Sequence, residues 1–178
     1  MYFTGRLLGQ IITIITFPGV VIHELSHQLF CRYLNVEVQE VCYFRIGNPA
    51  GYVIHKPTEK WIHTVAIAAG PFFINSLIAA ILAFPVASRI ELGSNISDAL
   101  LLWLAISIGM HAIPSTGDAQ SMWKAVSGNR ASLIAKLFVA PIVAIIYLLS
   151  LGSILWLDLF YGIFVCFILP QLLIQAIA

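Results

Sequence analysis

Three ionisable side chains, His23, Glu24 and His27, fall close together inside an apolar run that extends from Leu7 to about Leu34. Val20-Val21-Ile22 precedes them and Leu29-Phe30 follows. An ionisable group within an apolar span is costly, by about 2.5–3.5 kcal/mol for the stronger charges on insertion scales. Three so close together need a common reason. On a helix, His23 and His27 stand at i and i+4, which puts both imidazoles on one face, near enough to share a metal ion. A polar cluster satisfied between helices is the plainer alternative, but metal binding accounts for all three residues at once.

The surrounding composition says what solvent the run meets. Hydrophobic residues make up 60% of the chain and charged residues 10%, with a mean hydropathy of +0.95. A soluble domain is nearer a quarter charged, so the lipid bilayer is the natural solvent for this chain. The net charge of +1 gives no electrostatic case for nucleic acid. Cys31, Cys42 and Cys166 are odd in number and widely spaced, which suits neither a disulfide framework nor a Cys-x-x-Cys metal pair. The first apolar run lacks a small-residue cleavage site and continues into the His-Glu segment, so it reads as a retained first span.

Along the chain, apolar segments near the 20 residues needed for a span fall at 7–34, 61–87, 98–126, 133–157 and 159–177. Pro114-Ser115-Thr116-Gly117 breaks the third, with Asp118 as N-cap of a short helix to about Val126. Asp158 and Gly162 mark the split between the last two. Between the first and second lies a polar stretch from Asn35 to Lys60. Val36 to Val41 and Gly51 to Ile54 alternate within it, around Gly47-Asn48-Pro49, which predicts a β-hairpin or small sheet. The expected fold is therefore one domain over residues 1–178: an all-α multi-pass membrane protein of about five transmembrane helices, with a small hairpin between the first two.

Lys and Arg bias in short loops sets orientation. Arg32, Arg45, Lys56, Lys60, Lys124, Arg130 and Lys136 lie on the hairpin side; Arg6 and Arg89 lie on the other. The hairpin and the Asp118 loop are expected to be cytoplasmic, as is the C-terminus of a five-span chain. Ser88 to Ser97 forms the short loop on the far side.

Zinc accepts neutral imidazole nitrogens at about 2.0–2.1 Å and in catalytic sites keeps one position for water. It lowers the pKa of that water towards about 7. Glu24, beside His23, can accept the water's proton and pass it to a leaving amine. A third protein ligand is the rule. Asp118, after the helix break, is the first choice. His111, one or two turns earlier, and Cys31, four residues past His27, are alternatives. Asp98 and Glu91 fall on the opposite side of the membrane.

At this point the residues resemble the site-2 protease family of zinc intramembrane metalloproteases. His23-Glu24-Leu25-Ser26-His27 looks like its first motif, Ala69-Gly70-Pro71-Phe72-Phe73-Ile74-Asn75 like its second, and the segment from His111 to Asp118 is similar to its third. Two positions differ: His111 stands where the family has Asn, and Ala119 follows Asp118 in place of Gly. The resemblance covers roughly Leu7 to Val126 and leaves no room for a PDZ or CBS domain. It implies one zinc ion held by His23, His27 and Asp118, with Glu24 as general base. Taken alone, Gly70-Pro71 reads as a helix kink and Asn75 as an interhelical hydrogen bond; the resemblance implies instead that Gly70, Pro71 and Asn75 position the substrate, Asn75 by holding its backbone or the oxyanion. It implies that the hairpin binds an unwound substrate strand by β-augmentation. The implied partners are the bilayer, a transmembrane protein substrate and a regulatory membrane protein. A catalytically inactive binding protein on the same scaffold is the rival reading, against which an intact Glu24 argues; a metal transporter is weaker, since the chain has no matched halves.

Overall fold

The computed structural model describes residues 2–87, 95–129 and 131–177. Residues 88–94 of the expected Ser88–Ser97 loop, with Arg89 and Glu91 in them, lie outside that set, as do Arg130 and the Arg6 side chain. The described chain is mostly helical, with one two-stranded antiparallel sheet.

The apolar run expected as one helix from Leu7 to Leu34 is two. Helix α1 spans Tyr2–Ile15 and α2 spans Phe17–Tyr33, and they meet at 79°. Pro18, in the first turn of α2, has no N–H to continue the ladder of α1, and Thr16 leaves helical geometry (φ −104°, ψ 26°). The Ser107 hydroxyl fills the break: it accepts from Gly19 N at 3.0 Å and donates to Thr16 O at 2.9 Å. The other end of α2 closes on Asn35 in the left-handed region (φ 56°). Asn35 N donates to Arg32 O and Val36 N to Cys31 O, the paired bonds of a Schellman cap.

Strands β1 (Val38–Cys42) and β2 (Tyr52–His55) then form the hairpin, with Cys42 opposite Tyr52 and Val38 opposite His55. Both lie one or two residues later than the alternation suggested, and the pairing is irregular between Val38 and Glu40. The hairpin is tied to α2 by Tyr43, whose hydroxyl donates to Gln28 Oε1 at 2.5 Å.

Helix α3 spans Trp61–Ala87, the range read from the sequence. The expected third helix over 98–126 divides into α4 (Ile96–Met110) and α5 (Thr116–Ser127). Asn95 Oδ1 accepts from Asp98 N at 3.0 Å and so starts α4 two residues early. Ser115, not Asp118, is the N-cap of α5. Its hydroxyl accepts from Asp118 N at 3.2 Å while Asp118 Oδ2 accepts from Ser115 N at 3.0 Å, a reciprocal capping box. Helix α6 covers Leu133–Leu151 and ends in a tight turn at Gly152–Leu155, short of the expected Leu157. The chain turns at Trp156 (φ 62°) and α7 begins at Leu157, not Leu159. Asp158 sits in the first turn of α7, where its Oδ1 accepts from Leu159 N at 2.9 Å. A π-helical segment, Phe164–Ile168, links α7 (Leu157–Ile163) to α8 (Leu169–Ile177).

Helix α3 is the centre of the packing. Its first half buries Ala68 and Ala69 against Ala119, Met122 and Val126 of α5 and Val143 of α6. Its second half buries Ala79 and Ala83 against Ala105 and Ile108 of α4 and Val165 and Cys166 of the π segment. Alanines at both contacts let the helix axes approach closely. Among the described residues α3 alone is long and apolar enough to cross a membrane; the bent α1–α2 pair is a second if taken as one span. Helix α4 and the stretches Lys136–Leu151 and Leu157–Leu172 are apolar but shorter.

Candidate metal centre

The middle of α2 brings His23, Glu24 and His27 to the wall of a cavity of about 750 Å³. The cavity is bordered on the other sides by the start of β2, the first half of α3 and the α4–α5 connection. The α5 capping box aims Asp118 into it, with 22% of that side chain exposed. His23 and His27 are buried. Their Nε2 atoms lie 3.1 Å apart. Asp118 Oδ1 is 3.5 Å from His27 Nε2 and Oδ2 is 3.6 Å from His23 Nε2. Among the described residues these three are the one group of His, Cys, Asp or Glu side chains gathered tightly enough to hold a metal ion.

The other ring nitrogens decide what the cluster is for. His23 Nδ1 is 2.6 Å from His111 O, and His27 Nδ1 is 2.8 Å from Ile67 O. A carbonyl oxygen only accepts, so each Nδ1 carries a proton, which leaves Nε2 as the nitrogen through which a neutral ring would bind a cation. Two Nε2 atoms facing each other at 3.1 Å, with a carboxylate beside them, suit a shared cation. The spacing fits one: ligand bonds of about 2.0–2.1 Å in a tetrahedral set put neighbouring donor atoms about 3.3 Å apart. Two imidazoles and one carboxylate, each His fixed by a second hydrogen bond, are an ordinary donor set for such a centre.

The remaining expected residues take other places. The His111 imidazole stands outside the cluster: its Nδ1 donates to Ser107 O, one turn back, at 2.9 Å. Its contribution is the backbone carbonyl that orients His23. Cys31 is buried away from the cluster. Asp98 is at the opposite end of α4, about 20 Å from His111 at 1.5 Å per residue.

Gly70, Pro71 and Asn75, expected at the substrate, do not border the cavity; they stand behind the His pair. Gly70 is where α3 meets α2: a Cβ there would lie 2.6 Å from the Phe30 ring. Asn75 is fully buried. Its Oδ1 is 3.0 Å from Ser26 Oγ, and its Nδ2 faces Gly19 O (3.4 Å), Ile108 O (3.4 Å) and His111 O (3.2 Å). One amide thus ties α2, α3 and α4 together and braces the carbonyl that holds His23.

Two further residues shape the site without having been expected there. Gly51, at the entry to β2, lies against Glu24; a Cβ there would be 2.6 Å from Glu24 Cγ and 3.0 Å from Cys42 O. Glycine lets the hairpin close over the carboxylate. Ser115, through the capping box, sets the direction of Asp118. The capping-box spacing was available in the sequence as Ser115-x-x-Asp118; the Gly51 contact was not.

Comparisons with protein-family models, with curated proteins and with solved structures find no match to this chain.

Proposed function

We propose that the chain is an intramembrane zinc endopeptidase of the site-2 protease type, cleaving a membrane-protein substrate near the cytoplasmic face. The observation that carries this reading is the convergence of His23, His27 and Asp118, both imidazoles held at Nδ1 by a carbonyl with Nε2 turned into the cluster, in a cavity that Glu24 also lines. In size the cavity is within the range of ordinary ligand sites.

The multi-pass reading is supported by what the helices leave outside. Phe73, Leu77 and Ile81 on α3, Leu100 on α4, and Leu137 and Leu148 on α6 are exposed, a pattern that suits lipid better than water. Helices shorter than a full span are tolerated at membrane depth where protein or a wet cavity surrounds their ends. The α4–α5 break borders such a cavity.

Zinc, when bound, supplies Lewis-acid polarisation of water and of the scissile carbonyl. His23, His27 and Asp118 would hold it, and the carbonyls of His111 and Ile67 accept from Nδ1 and so keep each Nε2 turned to the cluster. Glu24 accepts a proton from the attacking water and returns it to the departing amine. The hairpin roofs the carboxylate and offers strand edges on which an unwound segment can pair. A helical substrate needs that unwinding, because its peptide bonds are shielded by the helix itself.

Glu24→Gln tests the reading. Purified protein in detergent micelles is assayed with fluorescent casein, an unfolded polypeptide, and its zinc content is measured in parallel. Cleavage is expected to fall by about 10²–10⁴-fold, the usual contribution of a general base, with zinc retained. A variant that cleaves as fast as the parent would refute the mechanism.

A further inference from the structure

We infer that Pro71 is a positioning residue of the metal centre, acting through the carbonyl of Ile67. In an α-helix the N–H of residue 71 would donate to the oxygen of residue 67. Proline has no N–H, so within α3 that carbonyl has no donor at its i+4 position. The carbonyl is the one that accepts from His27 Nδ1, at 2.8 Å. A neighbouring helix therefore takes the bond that the proline leaves open, and the imidazole is locked with its Nδ1 protonated and Nε2 turned to His23 and Asp118.

The second imidazole is held in an equivalent way. The oxygen of His111 would receive the N–H of Ser115 if α4 continued. That N–H goes instead to Asp118 Oδ2, and His111 O accepts from His23 Nδ1. Both histidines are thus oriented by carbonyls withdrawn from a helical ladder, one by a proline and one by a helix end. These two bonds also link the third donor to the first: the N–H that a longer α4 would give to the carbonyl holding His23 is the one that caps Asp118.

This inference rests on the reading of His23, His27 and Asp118 as a metal site. Its test is zinc affinity, measured by chelator competition on the full-length protein in micelles. In Pro71→Ala the restored N–H competes with His27 for Ile67 O, and zinc binding is expected to weaken by about 10–100-fold, as for loss of other outer-shell partners of metal-bound histidine. Pro85→Ala makes the same chemical change in the same helix, four turns on, and is expected to bind as the parent does. The decisive variant carries lactic acid in place of Pro71, so that an ester oxygen replaces the N–H without restoring the ring. Parent-like affinity in the ester together with weakened affinity in Pro71→Ala supports the assignment. An ester as weak as the alanine variant assigns the effect to the ring and overturns it, as does an alanine variant that binds like the parent. Nitrogen NMR of the metal-free parent gives an answer that does not depend on any variant folding: a His27 ring with no proton on Nδ1 would overturn the inference. A parent protein that binds no zinc removes the metal-site reading itself.

Discussion

Asn75→Leu separates two roles for the same amide. Leucine has nearly the shape of asparagine but no polar atoms, so packing is kept and hydrogen bonding is lost. Asn75 Nδ2 has two hydrogens for three carbonyls, those of Gly19, Ile108 and His111. At most two are satisfied at once. With the Ser26 bond, three interhelical hydrogen bonds disappear. At ~0.6 kcal/mol each, the mean for such bonds in a membrane protein, the loss is ~2 kcal/mol. The oxygen of Ile108 is the worst affected. The N–H that would reach it in a longer helix, that of Ala112, donates to Gly109 O instead, and a buried orphaned acceptor costs about 1–3 kcal/mol. The total expected is therefore about 3–5 kcal/mol. Equilibrium unfolding in mixed micelles measures it, and casein cleavage is followed on the folded fraction. An amide that instead held the oxyanion would leave stability unchanged and lower kcat by about 10²–10³-fold. Unchanged stability with that loss of kcat would refute the placement of Asn75 as a clamp between α2, α3 and α4.

Gly51→Ala puts a Cβ 2.6 Å from Glu24 Cγ and must move the carboxylate or the hairpin; a displacement of about 1 Å lowers turnover by about 10²-fold with zinc content unchanged, and an active variant would show that the hairpin does not set Glu24. Ser115→Ala removes the N-cap of α5 and should cost about 1 kcal/mol in thermal unfolding. Zinc should also bind more weakly because Asp118 loses its guide, and parent-like stability and affinity together would count against the capping box as the device that aims the ligand.

Much of the site was legible because its chemistry is local. The i, i+4 spacing of His23 and His27 needs only that α2 be a helix, and the flanking apolar residues make the helix. Asp118 was legible by a cruder route, as an acidic residue after a helix break at suitable depth. What was misread is its helical position. Asp118 is the third residue of α5, not its cap, and that difference matters: as the reciprocal acceptor in a capping box it keeps an oxygen facing each imidazole. The bend at Thr16 was hidden because hydropathy is blind to direction. Leu7 to Leu34 is continuous in apolarity, and only Pro18 hints that two axes meet there. The place of Asn75 stayed open between two readings for a related reason. A polar residue in an apolar span needs a partner, but the sequence does not say whether the partner is a substrate or three backbone carbonyls.

Those carbonyls mark the general limit. A sequence displays side chains, and a metal centre is easily sought as a set of donor side chains. Here the orientation of both imidazoles is set by the backbone, at Ile67 and His111, residues whose own side chains are irrelevant to the bond. What the sequence does carry is the position of the missing donors. A proline within a helix withdraws a hydrogen bond from the residue four before it, so Pro71 points to Ile67 and Pro85 to Ile81. Ile81 faces outward, with 61% of its surface exposed, whereas Ile67 is buried against α2 at the level of His27. The same local chemistry therefore goes with an oriented imidazole at Pro71 and, among the described residues, with none at Pro85. The difference lies in which helix is packed alongside, a fact of tertiary structure. A search for the fourth residue before each helical proline, followed by a search for an imidazole near it, would find this arrangement in any chain whose fold is known, and would not find it from sequence alone.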